Sequence, residues 1–283
     1  MKISISLIQD IEDLYQDLLE PLGLSKSQYK KAGMKKNLSF KKGRVLELPV
    51  ELLRNGEVNP TYEGSKIEIL SEDDHFIAIS KPFGLHGHPQ SYAETNTVLN
   101  FLRESNLCPS FGGAERGLLY RLDKETSGVL IVAKSEEVFS ELRDNFSKQA
   151  KEKIYLAIVE GNLVDLGEKT HSLIGSEAKG SKQKESIEGS EAKLSIISTT
   201  YNSENDCSLV KIKLDTGLRH QIRAQLSLLG FPILGDELYG GKKEERIFLH
   251  ALNYSLEYKG TRYSYEDKKA LLFDKFFDLN SCL

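Results

Sequence analysis

The stretch Tyr120-Arg121-Leu122-Asp123-Lys124-Glu125-Thr126-Ser127-Gly128 sets a carboxylate between a guanidinium two positions earlier and a Thr-Ser-Gly turn. The apolar run Val129 to Ala133 follows at once. A lone carboxylate in that setting suits nucleophilic attack better than acid–base pairing. Gly128 lets the chain turn tightly into a strand, and the strand would hold the Asp123 loop rigid. The plainer alternative is a loop carboxylate paired with Arg121, which is worth little at a surface. Glycoside hydrolysis would need two cooperating carboxylates; the segment offers only Glu125 as the second, and Glu125 is expected to point away.

Two further clusters carry chemistry-bearing side chains. In Thr216 to Leu229, the residues Leu218, Ile222, Leu226 and Leu229 share one helical face, and Gly230 stands where a C-cap glycine belongs. Arg219 and Arg223 fall one turn apart on the more polar face, with His220 and Gln221 between them. Taken alone, this is an amphipathic helix. Lys153-Ile154-Tyr155 opens an alternating segment that runs to Gly161, and a strand tyrosine is most often a core residue. His86-x-His88 has metal-ligand residue types but no third ligand nearby, so both read as loop histidines and no metal is expected.

The elements that must position these groups can be read around them. A buried strand is expected at Phe76 to Ile79, stopping at Lys81-Pro82, where proline removes a ladder donor. Ser135 followed by Glu136 and Glu137 is a helix start, and Val138, Leu142 and Phe146 recur at helical spacing. Gly175 to Glu191 is Gly, Ser, Lys and Glu with few apolar residues, a mobile loop or hairpin tip. Strands and helices mixed without steady βα alternation give an α+β expectation. Near the N-terminus, a helix is expected over Ile11 to Leu22, then turn residues at Arg54 to Pro60, then a strand at Gly64 to Ile69. The expected division is a small unit over 1–62 and a large domain over 63–283.

Composition bounds the rest. The chain has 283 residues, 39% apolar and 28% charged, ordinary for a globular protein. No apolar run approaches the length needed to span a membrane, and the N-terminus lacks a signal-like apolar core. A cytoplasmic protein is expected, with the three cysteines reduced, since they are far apart and without metal spacing. A net charge of −4 argues against a dedicated nucleic-acid binder. Yet between Pro21 and Leu46 there is no Asp or Glu, while lysines including Lys35 and Lys36 are dense. That block is either a phosphate grip or a solvated helix face.

The Asp123 stretch resembles the Arg-Leu-Asp-x-x-Thr-Ser-Gly signature of RluA-type RNA pseudouridine synthases, with Tyr120 where the family has His. Three other segments fit in the family's order. Ser80-Lys81-Pro82-x-Gly84 with His88-Pro89 is similar to its opening strand. Thr216-Gly217-Leu218-Arg219-His220-Gln221-Ile222-Arg223 is similar to its arginine motif, which continues to Gly235-Asp236-x-x-Tyr239-Gly240. Leu249-His250-Ala251 is similar to a late strand, with His250 structural. The resemblance runs from about Glu72 to Tyr254. It implies a mixed, largely antiparallel sheet and isomerisation of uridine to pseudouridine in transfer or ribosomal RNA, by a monomer without a cofactor. It implies Asp123 as nucleophile, Arg223 as its ion-pair partner, and Tyr155 stacking on the base as base or base-positioner. Arg121, Thr126, Lys153, His220, Gln221, Lys35 and Lys36 become substrate-binding candidates, Arg121 filling the stack or holding phosphate. Leu218 and Gln225 replace the family's Arg and His, which implies weaker RNA contacts or weaker support of the site. A catalytically inactive RNA-binding protein of the same fold is the alternative. The N-terminal unit resembles a degenerate S4-type RNA-binding module.

Overall fold

The computed structural model describes residues 2–21, 26–31, 35, 38–49, 57–111, 116–175, 182–270 and 273–279. Lys36, the Asn55-Gly56 turn and Cys282 lie outside the described residues. The chain forms two compact units: Met1–Glu63 with His88–Asn106, and Gly64–Gly87 with Leu107–Leu283. Residues 88–106 therefore group with the N-terminal part of the chain.

In the first unit, β1 (Lys2–Ser6) pairs antiparallel with β2 (Val45–Pro49), and α1 (Lys26–Lys31) lies between them in sequence. Leu7, Ile11, Leu14, Leu19, Leu46 and Leu48 form its apolar cluster. The helix expected over Ile11 to Leu22 is reduced to one wide turn, Tyr15–Leu19, closed by Glu20 N–H to the Tyr15 carbonyl. The Asp17 carboxylate takes the N–H groups of Glu12 and Asp13, and Asp13 takes those of Tyr15 and Gln16. Such side-chain acceptors offer the backbone an alternative to the helical ladder. The helix α2 (Val98–Glu104) starts at Thr97, whose side chain and that of Asn100 cap each other's backbone N–H.

The second unit is built on one sheet. Its strands are β3 (Glu68–Glu72), β4 (Phe76–Lys81), β5 (Ser127–Ala133), β6 (Ala150–Glu160), β7 (Gly167–Gly175), β8 (Gln183–Glu185), β9 (Ser190–Asn202), β10 (Cys207–Leu214), β11 (Leu249–Tyr258) and β12 (Thr261–Glu266). Their order is β3-β4-β5-β11-β6-β10-β9-β7-β8, with β12 also on β11. Among the described pairings, β5 with β11 is parallel and the others are antiparallel. The architecture is thus the mixed, largely antiparallel sheet expected from the sequence.

Strand β5 is buried along its whole length, as its unbroken apolar run dictates. Helix α3 (Glu136–Gln149) packs Val138 and Leu142 onto the β4–β5 side, and α4 (Gln221–Leu228) packs Ile222 and Leu226 against β6 and β10. The chain between Gly175 and Glu191 is a hairpin where described: β8 pairs with the end of β7, and β9 starts at Ser190. Gly128 lies beside the β11 backbone at φ +110°, and a Cβ there would collide with the Ala251 carbonyl. The parallel contact between β5 and β11 requires glycine at that point.

Candidate active site

Asp123 occupies the loop entering β5, and Thr126 N–H closes the turn onto the Asp123 carbonyl at 3.1 Å. The next carbonyl, Lys124, is held from two directions. Gly84 N–H donates to it at 2.8 Å, and the Lys81 ammonium donates to it at 3.1 Å. Lys81 is fully buried and also donates to the carbonyls of Pro82 and Leu85 at 2.9 Å. Burial pulls its pKa down to about 7, against the opposing charges of Asp123 and Glu125. Lys81 is therefore the pin that fastens the end of β4 to the Asp123 loop. Sequence reasoning used it as a strand terminator and as part of the family's opening-strand segment, without a role of its own; the signal was a lysine at the end of the strand Phe76–Lys81, just before proline.

Arg223 reaches this loop from α4. Its guanidinium is bidentate on Asp236, Nε to Oδ2 at 2.6 Å and Nη2 to Oδ1 at 2.8 Å, and both side chains are buried. Nη1 is left to face Asp123 Oδ2 at 3.6 Å and Glu125 Oε2 at 3.8 Å. Arg223 does meet Asp123, but its tight partner is Asp236, which the sequence reading left without a role. Nor is Arg223 on a polar helix face. Helix α4 begins only at Gln221 because His220 takes a left-handed backbone, φ +53°, so Leu218 and Arg219 precede the helix. Histidine is among the residues that tolerate that region, at modest strain. Glu125 shares Arg223 with Asp123 instead of pointing away.

His220 Nε2 lies 3.9 Å from Asp123 Oδ1, while its Nδ1 lies 3.3 Å from the Tyr239 hydroxyl. Burial lowers the His220 pKa, and Arg223 and Arg219 add to that effect against Asp123. The Asp123 side chain keeps 24% exposure, an opening by which a base could reach it. Tyr155, on β6 opposite Ala251 of β11, is buried. Burial, with the nearby charge of Asp123, pushes its phenol well above the usual value. Tyr120, in the family's histidine position, stacks on Tyr254 with ring centroids 4.2 Å apart and donates to the Val129 carbonyl.

The other candidates separate. Thr126 is buried in the turn. Lys153 donates to the Thr216 carbonyl at 3.0 Å and clamps the loop before α4; burial lowers its pKa. Gln221 is buried, its carbonyl accepting from Thr216 and Leu218 N–H and its amide donating to Lys193 and Gln225, so it anchors α4. Arg121 is exposed. Lys35, in the first unit, is exposed, and its carbonyl accepts the Tyr29 hydroxyl. A buried chain that the sequence did not reveal runs behind the loop: Arg246 Nη2 donates to Ser127 Oγ at 2.6 Å, which meets His250 Nδ1 at 2.8 Å, and His250 Nε2 meets the Asp267 carbonyl at 2.7 Å.

The site is thus a buried ion pair that aims one arginine nitrogen at a half-open carboxylate, with the buried Tyr155 on β6 of the same mixed sheet. The family model for RNA pseudouridylate synthase matches residues 75–228. An uncharacterised RNA pseudouridine synthase of Bacillus subtilis is 32% identical over 76% of this chain and 71% of its own length. Ribosomal large subunit pseudouridine synthase D of Borreliella burgdorferi is 35% identical over 68% of this chain, which spans 60% of that relative. The solved structure of human RNA pseudouridylate synthase domain containing 1 superposes with a TM-score of 0.56 at 20% identity, covering 71% of this chain and 83% of that one. The chain belongs to the RluA-type RNA pseudouridine synthases, a family of isomerases.

Proposed function

We propose that this protein isomerises selected uridines to pseudouridine in ribosomal RNA, with Asp123 as the nucleophile. The observation that carries the reading is the Asp123 carboxylate facing Arg223 Nη1 at 3.6 Å, while Asp236 holds the other two guanidinium nitrogens. That arrangement keeps Asp123 oriented toward its opening, as a nucleophile needs. The ribosomal assignment leans on relatives named for the large ribosomal subunit in Borreliella and Rickettsia.

The uridine leaves its stack to reach Asp123, at a cost of about a few kcal/mol that stacking and phosphate contacts offset. Asp123 attacks C1′ of the ribose or C6 of the uracil. The C1′–N1 bond breaks, the uracil rotates, and a C1′–C5 bond forms. C5 then loses its proton, N1 ends up protonated, and the product is an isomer of the substrate. The raised phenol pKa keeps Tyr155 protonated at neutral pH, so it supports the base as a hydrogen-bonding and stacking platform rather than as a phenolate. Exposed lysines of the first unit, Lys26, Lys30 and Lys35, supply phosphate contacts.

The test is carbodiimide-based mapping of pseudouridine in ribosomal RNA from cells lacking the gene, complemented with wild type or Asp123→Asn. The expected result is one or more sites lost on deletion, restored by wild type and not by Asp123→Asn, with the variant folded and RNA affinity within about a few-fold, because asparagine keeps the volume but not the nucleophile. Restoration above a tenth of wild type by Asp123→Asn would remove Asp123 from the role. Unaltered pseudouridines on deletion, together with retained RNA binding, would favour the inactive RNA-binding alternative.

A further inference from the structure

Tyr239 sits where three parts of the second unit meet, and nothing in the proposed chemistry uses it. It follows the turn Gly235-Asp236, whose carboxylate holds Arg223. The Tyr239 ring is buried, with the Arg223 guanidinium 5.3 Å from its centroid and the Lys182 ammonium at 6.0 Å. Its hydroxyl is 2.8 Å from Gln183 N, on the hairpin strand β8, and 3.3 Å from His220 Nδ1.

The Tyr239 oxygen has one proton to donate and two lone pairs to share. Gln183 N–H can only donate, so it takes one lone pair of the Tyr239 oxygen. The phenol proton can then go to His220 Nδ1 where that nitrogen presents its lone pair. A neutral imidazole that accepts at Nδ1 carries its hydrogen on Nε2. Nε2 is the nitrogen that faces Asp123 Oδ1, at 3.9 Å, and the carboxylate's field favours a hydrogen there. The opposite tautomer would turn a lone pair toward the carboxylate.

We infer that Tyr239 is a positioning residue that fixes His220 as the Nε2–H tautomer, so that an N–H dipole stands beside the Asp123 carboxylate, and that it ties this setting to the β7–β8 hairpin through Gln183. The inference rests on the reading of Asp123 as the reacting carboxylate. The charged groups facing His220 are Asp123 from the loop before β5, Arg223 from α4, Asp236 from the turn before Tyr239, and Arg219 beside it in the chain. Burial lowers the His220 pKa, which keeps it neutral and lets a tautomer be defined at neutral pH. The hairpin carries Lys182 and Lys184 on its exposed side, so RNA binding there bears on the hydrogen bond that sets the tautomer.

The experiment is long-range proton–nitrogen correlation NMR on the whole protein labelled at histidine, with His220 assigned by His220→Asn. In wild type at pH 7.5, His220 is expected as a single tautomer, with Nε2 protonated and Nδ1 an unprotonated nitrogen whose shift shows an accepted hydrogen bond. In Tyr239→Phe, a mixed tautomer is expected, and the acid limb of the kcat profile should move to higher pH, because loss of the phenol donor makes Nδ1 easier to protonate. RNA affinity should change less than kcat. A wild-type His220 found as the Nδ1–H tautomer would overturn the inference, even if Tyr239→Phe does not fold. An unmoved tautomer and acid limb in a folded Tyr239→Phe would overturn it too. Loss of Asp123 as nucleophile would appear separately, as activity retained in Asp123→Asn with the His220 tautomer unchanged.

Discussion

Replacing Arg223 by Met strips Asp236 of its partner while keeping an apolar stem of similar length. Asp236 has no exposure, and the two bonds it receives from Arg223 are 2.6 and 2.8 Å long. A hydrogen bond to a charged group contributes about 1.5–3 kcal/mol, so two give about 3–6 kcal/mol. Breaking a buried ion pair by removing one member costs about 3–5 kcal/mol, because the stranded charge has neither water nor partner. The two routes agree. At about 2–4 °C per kcal/mol for a chain of this class, the melting temperature of Arg223→Met should fall by about 6–20 °C. The double variant Arg223→Met/Asp236→Leu removes both charges, and apolar replacement of a whole buried pair is often near neutral. It should recover most of the melting temperature and none of the activity, since no guanidinium faces Asp123. Scanning calorimetry and a pseudouridine assay on the same preparations give both readings. Arg223→Met melting within about 2 °C of wild type would refute the argument that Asp236 is tightly held by Arg223. A double variant as unstable as the single one would show that the loss is packing rather than a stranded carboxylate.

Three other outcomes follow from the same structure. Gly128→Ala should yield mostly insoluble protein, because φ +110° and the Ala251 carbonyl both exclude a side chain; a soluble variant with wild-type melting would contradict the β5–β11 pairing. Tyr155→Phe should lower kcat without changing the shape of the pH–rate profile up to about pH 10, since a phenol raised above its ordinary value of about 10 by burial and by Asp123 is not ionised there; a wild-type rate that climbs above pH 8 and is flat in the variant would mark a phenolate base. Converting Lys30 and Lys35 to Gln should reduce the slope of log affinity against log salt by about 0.7–0.9 for each phosphate no longer neutralised, measured by filter binding; an identical slope would leave those lysines as a solvated face.

The parts of the fold that could be read directly were those fixed by local rules. The unbroken apolar run after Gly128 became the buried strand β5, and Ser135 with two following acids became the start of α3. Gly230, expected as a C-cap, takes φ +86° just past α4. What could not be read was set by tertiary partners. The helical stripe of Leu218, Ile222, Leu226 and Leu229 gave no hint that His220 would leave helical geometry, because periodicity is blind to one residue in the left-handed region. The expected Arg223–Asp123 pair was half visible. The sequence offers Asp123, Glu125 and Asp236 as acids, and only the fold decides which of them takes the bidentate edge.

The two departures from the family's arginine motif bear on whether this chain is an active enzyme. Both were expected to mean weaker RNA contacts or weaker support of the site. Leu218 packs beside the buried cluster of Leu173, Ala192, Ala224 and Tyr239. Gln225 has no exposure: its carbonyl accepts from Gln221, and its amide nitrogen lies 3.0–3.2 Å from the carbonyls of Ala192 and Lys169 and from His171 Nδ1. An amide carries two donors and two acceptor lone pairs, enough to tie α4 to β7 and β9 with its buried polar atoms satisfied. The helix that delivers Arg223 is thus anchored by Gln221 and Gln225 together, one turn apart on the same face. That anchor, the Arg223–Asp236 clamp and the Lys81 pin all converge on the loop that carries Asp123. Together they hold Asp123 facing Arg223 Nη1 at 3.6 Å, the arrangement on which the proposed chemistry rests.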